Sequence, residues 1–157
     1  MSDDALAETI DHVAITRLQQ AYADAITRRD WPALVPLFAD GAVVELDLVA
    51  RPPRRFEGVE AFTSFVADAI ARYEHFQFVV LGTHVDLWPG GDRDAAEARI
   101  YMAEIRQETR EAGRDDAHGL YRDRYERIDG RWRFAHRRYR SMARFPGGDV
   151  FPLPDLA

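Results

Sequence analysis

Four side chains near the C-terminus could carry acid–base chemistry if they share one face of a β-hairpin. Asp129-Gly130 is the dipeptide that best tolerates the positive φ angles of a two-residue type I′ turn, and an alternating run flanks it on each side. A symmetric hairpin about this turn pairs Asp123 with His136 and Tyr121 with Arg138. A carboxylate beside an imidazole is typical of a general base, because the acid orients the ring and stabilises its charged form. The same pair equally suits a structural ion pair that fastens the hairpin.

The opposite end of this hairpin indicates which face is buried. The same symmetric register pairs Tyr125 with Phe134 and Arg127 with Trp132, so the turn end of that face is aromatic. An aromatic face packs on the core, and the four polar side chains are therefore predicted to point inward. Polar groups in such a place need partners or a function.

Two further carboxylates lie on predicted strands. Asp47 lies inside an apolar strand; turned inward, its pKa would be raised by burial and it would serve as an acid or base, whereas turned outward it is a surface residue. Glu104 shares a strand face with Arg106, and the two either meet a ligand at a pocket mouth or form pairs across strands in water. The predicted catalytic residues are thus His136, Asp123, Tyr121 and Asp47.

Helical patterns come first in the chain and strand patterns follow. Residues 10 to 29 carry an apolar stripe at helical spacing, Asp30 predicts the N-cap of a short second helix, and a third helix is predicted from Gly58 to about Tyr73. A first strand is predicted over residues 42 to 49, and the proline-rich stretch 51 to 55 predicts a loop. Long strands are predicted at 76 to 88, 95 to 108, 117 to 128 and 131 to 144.

This element order predicts the α+β class, with three N-terminal helices packed on one face of a curved, mostly antiparallel sheet. We expect a single domain over residues 1–157, in which residues 1–9 form a flexible tail. Residues 145–157 form an apolar, proline-rich tail that is expected to cover a pocket mouth or a dimer partner. Small ligands usually bind in the opening between such helices and the sheet.

Composition excludes several classes of function. The 157 residues carry a net charge of −6, which argues against nucleic acid as a partner. No apolar run approaches the ~20 residues of a membrane span, and with no export signal a cytoplasmic location is expected. Cysteine is absent, so thiol nucleophiles and thiolate metal sites are excluded, and the five histidines show no metal-ligand spacing. Neither a metal nor a cofactor is expected.

A set of short motifs recurs in a familiar order along the chain. They are Tyr22, Asp30-Trp31, Leu37-Phe38-Ala39, Phe56-Glu57-Gly58, Gly119-x-Tyr121-x-Asp123-x-Tyr125 and Asp129-Gly130-x-Trp132-x-Phe134. Over about residues 10 to 140 this succession resembles the SnoaL-like branch of the nuclear transport factor 2-like superfamily. The resemblance implies a cone-shaped α+β fold, in a superfamily that includes polyketide cyclases, scytalone dehydratase, ketosteroid isomerase and the small subunits of ring-hydroxylating dioxygenases. It implies much less about function, because this fold hosts many activities.

The resemblance also shows where this chain departs from the dehydratases of that branch. Their acid/base pair is an aspartate near the end of the first helix and a histidine on the first long strand. Those positions correspond here to Thr27 and Phe78, and neither side chain can act as an acid or a base. A tyrosine of the same site corresponds to about Asp47. We therefore do not expect this chain to catalyse the dehydratase reaction with that pair. The side chains expected to contact a substrate are Tyr22, Thr27, Phe78, Glu104, Tyr125 and Arg138.

Three functions remain open on the sequence. The first is a cofactor-free lyase, isomerase or cyclase acting on a hydrophobic, oxygenated molecule of aromatic or polyketide-like type. The second keeps the pocket without the chemistry, as a carrier or sensor of such a molecule. The third is a structural role, as a dimerisation module or an oxygenase-like small subunit. A homodimer is expected through the sheet face opposite the helices, where Leu120, Arg122, Arg124 and Ile128 are predicted to point outward.

Overall fold

The computed structural model describes residues 2–156 and has the predicted α+β architecture. Three α-helices, α1 (Asp3–Arg28), α2 (Trp31–Leu34) and α3 (Val59–Ile70), accompany a seven-stranded sheet, and short 3₁₀ turns lie at Val35–Leu37 and Pro89–Gly91. The strands are β1 (Phe38–Asp47), β2 (Arg54–Glu57), β3 (His75–Leu87), β4 (Ala95–Gln107), β5 (Asp115–Ile128), β6 (Arg131–Phe145) and β7 (Asp149–Val150).

The sheet is antiparallel except at one place. Its strand order is β2-β1-β6-β5-β4-β3, and only β1 and β6 run parallel among the described pairs. The four long strands begin and end within two residues of their predicted bounds. The first strand instead begins four residues early, at Phe38, and the predicted loop over residues 51 to 55 ends in the short edge strand β2.

Helix α1 begins much earlier than the apolar pattern indicated. The Ser2 side chain accepts a hydrogen bond from the Ala5 main chain at 3.2 Å, which caps a helix whose first turn carries two acidic residues. The prediction of a flexible tail over residues 1–9 is therefore wrong for residues 3–9, and Met1 lies outside the described residues. The error arose because the first two turns of α1 are exposed and show no apolar stripe toward the core.

Asp11 fastens α1 to the turn ends of two hairpins. Its carboxylate accepts hydrogen bonds from Trp88 Nε1 at 3.0 Å and Trp132 Nε1 at 3.1 Å. Arg127 donates to both carboxylate oxygens, at 2.9 and 2.7 Å. A buried carboxylate needs such donors, and here they join the helix to the β3–β4 and β5–β6 ends of the sheet.

The predicted turn between β5 and β6 is present, but the register of the hairpin changes along its length. Asp129 and Gly130 have φ angles of 51° and 75°, as a type I′ turn requires. Arg127 pairs with Trp132 and Tyr125 with Phe134, as predicted. A bulge then follows: Arg124 pairs with His136, so Ala135 is an extra residue on β6. The pairs from Arg124–His136 to Gly119–Ser141 are displaced by one. A second irregularity, at Met142, displaces the remaining pairs by two.

The C-terminal tail folds back on its own sheet. Strand β7 pairs with β6 at Ala143 and Arg144, and the Asp155 carbonyl accepts a hydrogen bond from Arg122 at 3.3 Å. Arg122 points away from the helices, so the tail crosses the outer face of the sheet rather than the concave face that the helices cover. On that outer face Leu120 is only 1% exposed.

Candidate functional site

Asp123 does not meet His136, because the bulge at Ala135 places Arg137 opposite Asp123 instead. Arg137 donates to the two Asp123 oxygens, from Nε at 2.9 Å and from Nη2 at 3.1 Å, in a bidentate ion pair. Both side chains are buried, with 1% and 0% of their surface exposed. The predicted carboxylate–imidazole pair is therefore wrong, and a buried carboxylate–guanidinium pair stands in its place.

His136 and Arg138 lie on the outer face of the sheet, where both bind Glu45. His136 Nε2 lies 2.9 Å from Glu45 Oε2, and Arg138 Nε donates to the same oxygen at 2.9 Å. Burial raises the pKa of the Glu45 carboxyl, but these two partners outweigh burial and the pKa is lowered. Both residues were predicted to lie on the concave face. The bulge reverses their facing, so that prediction is wrong.

Asp47 also lies on the outer face, in step with Glu45 along β1. Its carboxylate accepts hydrogen bonds from Arg140 Nη1 at 2.6 Å and from the Val49 main chain at 2.9 Å. The alternating neighbours Val44 and Leu46 are the buried ones. Of the two alternatives for Asp47, the structure therefore has the outward one, and a ligand on the concave face would not meet this carboxylate.

Behind Asp123, a chain of hydrogen bonds runs to helix α1. The Tyr125 hydroxyl donates to Asp123 Oδ2 at 2.8 Å and accepts from Gln19 Nε2 at 3.0 Å. Gln19 Oε1 in turn accepts from the Thr83 hydroxyl at 2.7 Å. Burial raises the pKa of Tyr125, and the charge of Asp123 raises it further, so this phenol keeps its proton. The chain holds the carboxylate, and through it Arg137, in one orientation.

Arg137 is enclosed by aromatic rings. Its guanidinium carbon lies 4.0 Å from the centroids of both Tyr22 and Tyr121, and 4.3 Å from that of Phe134. Asp123 raises the pKa of Arg137 against the effect of burial, so the group stays charged. Its Nη1 atom is buried and has no hydrogen-bond partner within the described residues. A charge that is held, enclosed and partly unpartnered can attract an electron-rich group of a ligand.

One row of side chains crosses the concave face from β3 to β6. The register pairs Phe78 with Glu104, Glu104 with Ala117, and Ala117 with Arg144; we call these four the Glu104 row. The Phe78 main-chain N–H donates to the Thr27 hydroxyl at 3.0 Å. The two positions that resemblance pointed to are therefore in contact, and a carboxylate lies one strand away from them.

Glu104 is the carboxylate of the concave face with the clearest capacity for proton transfer. Burial raises its pKa, while the charges of Arg106 and Arg144 counter part of that shift. Arg106 Nη1 lies 3.3 Å from Glu104 Oε2, and its Nη2 donates to Asp115 Oδ2 at 2.8 Å. The Glu104 side chain is 26% exposed, so a ligand can reach this carboxyl group, whose pKa is raised. A carboxyl with a raised pKa is the type that enzymes use as an acid or base.

Phenols lie between Glu104 and Arg137. Tyr121 contacts Tyr22, Phe78 and Tyr139, with ring centroids 6.4, 6.1 and 5.1 Å away. Burial, followed by the charge of Glu104, raises the pKa of Tyr139 to about 12. Tyr139 is therefore a neutral hydroxyl that can donate a hydrogen bond at ordinary pH.

The sequence reasoning missed two members of this region, Arg137 and Tyr139. A signal was present for Arg137, because an inward-facing aspartate in an aromatic face calls for a cation, and Arg137 is one residue away from the predicted partner. Tyr139 became an inward residue only through the same bulge. Tyr121, Tyr22, Tyr125, Thr27 and Phe78 lie on or beside the concave face, as predicted. Glu104, whose facing the sequence left open, lies there too.

Within residues 2–156, no three His, Cys, Asp or Glu side chains are grouped as ligands of a metal ion. None of the helices in that range is both long and apolar enough to span a membrane.

Comparison with known families then gives one clear match. The SnoaL-like domain family matches residues 7–138. The chain belongs to this family. No curated protein matches the chain.

Solved structures with the same fold come from several proteins, and all three below are too distant in sequence to show more than the fold. A Novosphingobium aromaticivorans DSM 12444 protein provisionally named scytalone dehydratase is 17% identical, with a TM-score of 0.76 over 96% of this chain and 93% of that one. The hexachlorocyclohexane dehydrochlorinase of Novosphingobium barchaimii LL02 is 18% identical, with a TM-score of 0.75 over 96% and 99%. A Mycobacterium tuberculosis protein of unknown function, solved as a single-residue variant, is 24% identical, with a TM-score of 0.71 over 85% and 73%.

Proposed function

We propose that this SnoaL-like protein binds a hydrophobic, oxygenated small molecule against the concave face and moves a proton to or from it with Glu104, without a cofactor. The observation that carries the proposal is the place of Glu104: it is directly opposite Phe78 on the neighbouring strand, and Phe78 contacts Thr27. Enzymes named for dehydration and dehydrochlorination share the fold, which supports a lyase or isomerase of this kind.

The chemistry follows from the groups that line the row. Glu104 in its ionised form removes a proton from a carbon beside a carbonyl, so that the C–H electron pair becomes an enolate and the carboxyl gains the O–H bond. The neutral Tyr139 hydroxyl donates a hydrogen bond to the oxygen on which charge develops. Loss of a leaving group or return of the proton to another carbon would complete an elimination or an isomerisation. The Tyr22, Tyr121 and Phe78 rings favour a flat, aromatic substrate.

A test of proton transfer does not require the natural substrate. The probe is 2-tetralone, a flat bicyclic ketone whose hydrogens next to the carbonyl exchange with deuterated water. Nuclear magnetic resonance follows both the exchange and the broadening of probe signals on binding. We expect wild-type protein to accelerate the exchange, and Glu104→Gln to lose at least about 100-fold of that acceleration while retaining binding.

The matched control is Glu97→Gln. Glu97 lies on the same strand, is exposed, and points to the outer face. Its substitution should leave exchange unchanged. Equal loss in both variants, or exchange unaffected by Glu104→Gln, would refute the role of Glu104.

A second function is favoured by one observation, the replacement of the acid–base pair by Thr27 and Phe78. Binding of the probe by wild type with no accelerated exchange would support a carrier or sensor instead. A protein that binds no such molecule would fit the third function, a structural or oxygenase-subunit-like module.

The homodimer and the cytoplasmic location remain predictions. Leu120 is already buried within the chain, so a dimer through the outer face would rest on charged side chains such as Arg122 and Arg124. Light scattering measures the mass in solution: the expected mass is that of two chains, and a single-chain mass at every protein concentration would contradict the dimer.

A further inference from the structure

Three arginines lie side by side on the outer face of the sheet. The register pairs Arg99 of β4 with Arg122 of β5, and Arg122 with Arg138 of β6; we call these three the arginine row. Side chains directly opposite on neighbouring strands are about 5 Å apart, and like charges at that spacing destabilise a sheet. Such a row is therefore unfavourable unless an anion lies over it.

Among residues 2–156, the following partners neutralise the ends of the row better than its middle. Arg138 binds Glu45 Oε2 at 2.9 Å, and Arg99 Nη1 lies 3.9 Å from Asp86. Arg122, in the middle, donates to a neutral acceptor, the main-chain carbonyl of Asp155, at 3.3 Å. The centre of the row is thus where additional negative charge is most favourable.

The surface around the row is concave. Two depressions, of about 320 and 450 Å³, lie on the outer face, and Arg122 and Arg138 line both of them. Together they are lined by six arginines that belong to the outer face, against four carboxylates of that face, those of Glu45, Asp47, Asp86 and Glu97. Arg54 also borders one depression, but its guanidinium stacks on Phe56 and Phe65 on the other face. Asp123 also borders one depression, but its carboxylate is bound by Arg137 on the other face. A chain of net charge −6 therefore has a local excess of positive charge here.

We propose that the arginine row binds a small anion of the phosphate class, as free phosphate or as a phosphate monoester, centred on Arg122. Guanidinium groups present paired N–H donors in a plane, which match the oxygens of a phosphoryl group. A doubly charged anion over Arg122 accepts from three arginines on three strands at once. It also removes their mutual repulsion, so binding and stability are coupled. This site lies on the opposite side of the sheet from Glu104 and does not depend on the proposed function.

The experiment uses the full chain at low ionic strength. Inorganic phosphate and glycerol 2-phosphate are titrated separately by calorimetry, and thermal unfolding is followed with each anion and with sodium chloride at matched ionic strength. Phosphate should bind with a 1:1 stoichiometry and raise the melting temperature more than chloride does. The tighter of the two anions identifies the source of the phosphoryl group.

Arg122→Gln is the decisive variant, because it keeps a polar side chain but removes the central charge. It should weaken phosphate binding at least tenfold. Without phosphate it should melt at or above the wild-type temperature, because a like charge has been removed. Arg131→Gln, at an exposed position beside the hairpin turn, is the matched control and should bind phosphate like wild type.

Three results would overturn the proposal, two of them in the binding experiment. One is a wild-type response to phosphate no larger than its response to chloride, and the other is equal phosphate binding by Arg122→Gln and Arg131→Gln. A dimer that Arg122→Gln dissociates, with no phosphate binding by wild type, would also overturn it, since a second copy of the chain would then cover the row.

Discussion

Phe78 and Glu104 are cross-strand partners on the concave face of the sheet. The first occupies the position where dehydratases of this superfamily are expected to carry a histidine, and the second brings a carboxyl to within one strand of it. Because cross-strand partners share a face, a molecule that stacks on the Phe78 ring also meets Glu104. This position on the neighbouring strand is the one from which we propose that Glu104 transfers a proton.

The pH dependence of proton transfer should follow the raised pKa of Glu104. Burial disfavours the carboxylate, so at the pH where an ordinary glutamate is ionised Glu104 is still partly protonated. As a base, Glu104 becomes competent only as pH rises through its folded-state pKa. Exchange of 2-tetralone by wild type should therefore increase with pH along a single titration whose midpoint lies above 4.5, the ordinary glutamate value. The residual exchange by Glu104→Gln should lack that step; a step of the same midpoint in the variant would assign it to another group.

The corrected hairpin register makes two substitutions differ in their effect on stability. Asp123→Asn leaves the buried charge of Arg137 without its counter-charge, which should cost about 3–5 kcal/mol of unfolding free energy. His136→Gln breaks a partly exposed contact with Glu45 and should cost no more than about 1 kcal/mol. Urea denaturation measures both. Equal losses of unfolding free energy would instead favour a direct contact between Asp123 and His136, as the symmetric hairpin had predicted.

The bulge explains which features of the fold could be predicted from the sequence and which could not. Alternation, the Asp129-Gly130 turn and the helix caps are local signals, and they predicted the class, the element order and the ends of the long strands. A single extra residue at Ala135 has no local signal, because an alanine fits a regular strand and a bulge equally well. Its effect is non-local: it exchanges the faces of the β6 residues from His136 to Ser141, and a second irregularity at Met142 restores the predicted facing beyond them.

The bulge also separates the site residues whose facing was predicted correctly from those whose facing was not. Residues on β3, β5 and α1, such as Phe78, Tyr121 and Tyr22, lie where they were predicted, and the facing of Glu104 on β4 was left open by the sequence. Residues of β6 from His136 to Ser141 do not lie where they were predicted, so His136 and Arg138 moved to the outer face and Arg137 and Tyr139 to the inner one. The facing of Asp47 depended on which alternate residues of β1 pack on the core. The structure buries Val44 and Leu46, so Asp47 lies on the other face with Glu45.

Gly119 is required by the ring of Tyr139. A Cβ atom at Gly119 would lie 2.1 Å from Tyr139 Cε2, and the ring is buried. Gly119→Ala should therefore displace Tyr139 and lower the unfolding free energy by about 1–3 kcal/mol. Adding Tyr139→Ala should recover part of the loss in a double-mutant cycle.

Gly82→Ala provides the control for that cycle. Gly82 also lies in a long strand, and a Cβ atom there would meet nothing within 4 Å. Its substitution should be close to neutral. A Gly119→Ala protein as stable as Gly82→Ala would show that the ring of Tyr139 is free to move.

Asp11 should account for a measurable part of the loss of stability in acid. Burial raises the pKa of its carboxyl, but the donors on Arg127, Trp132 and Trp88 outweigh burial and lower it below 3.8. A carboxyl with a lowered pKa in the folded state stabilises the protein above its unfolded-state pKa, and that contribution is lost as pH falls through the folded-state pKa.

Asp11→Asn removes this contribution while keeping the shape of the side chain. Near neutral pH it should cost about 1–3 kcal/mol, because charged hydrogen bonds to Arg127 are replaced by neutral ones. As pH falls below 3.8 and through the lower folded-state pKa, the stabilities of variant and wild type should converge, since both then carry a neutral group at this position. Asp24→Asn, on the same helix but exposed and paired with Arg28, should change stability little at either pH. A difference between Asp11→Asn and wild type that stays constant with pH would mean that the charge of Asp11 does not hold α1 to the hairpins.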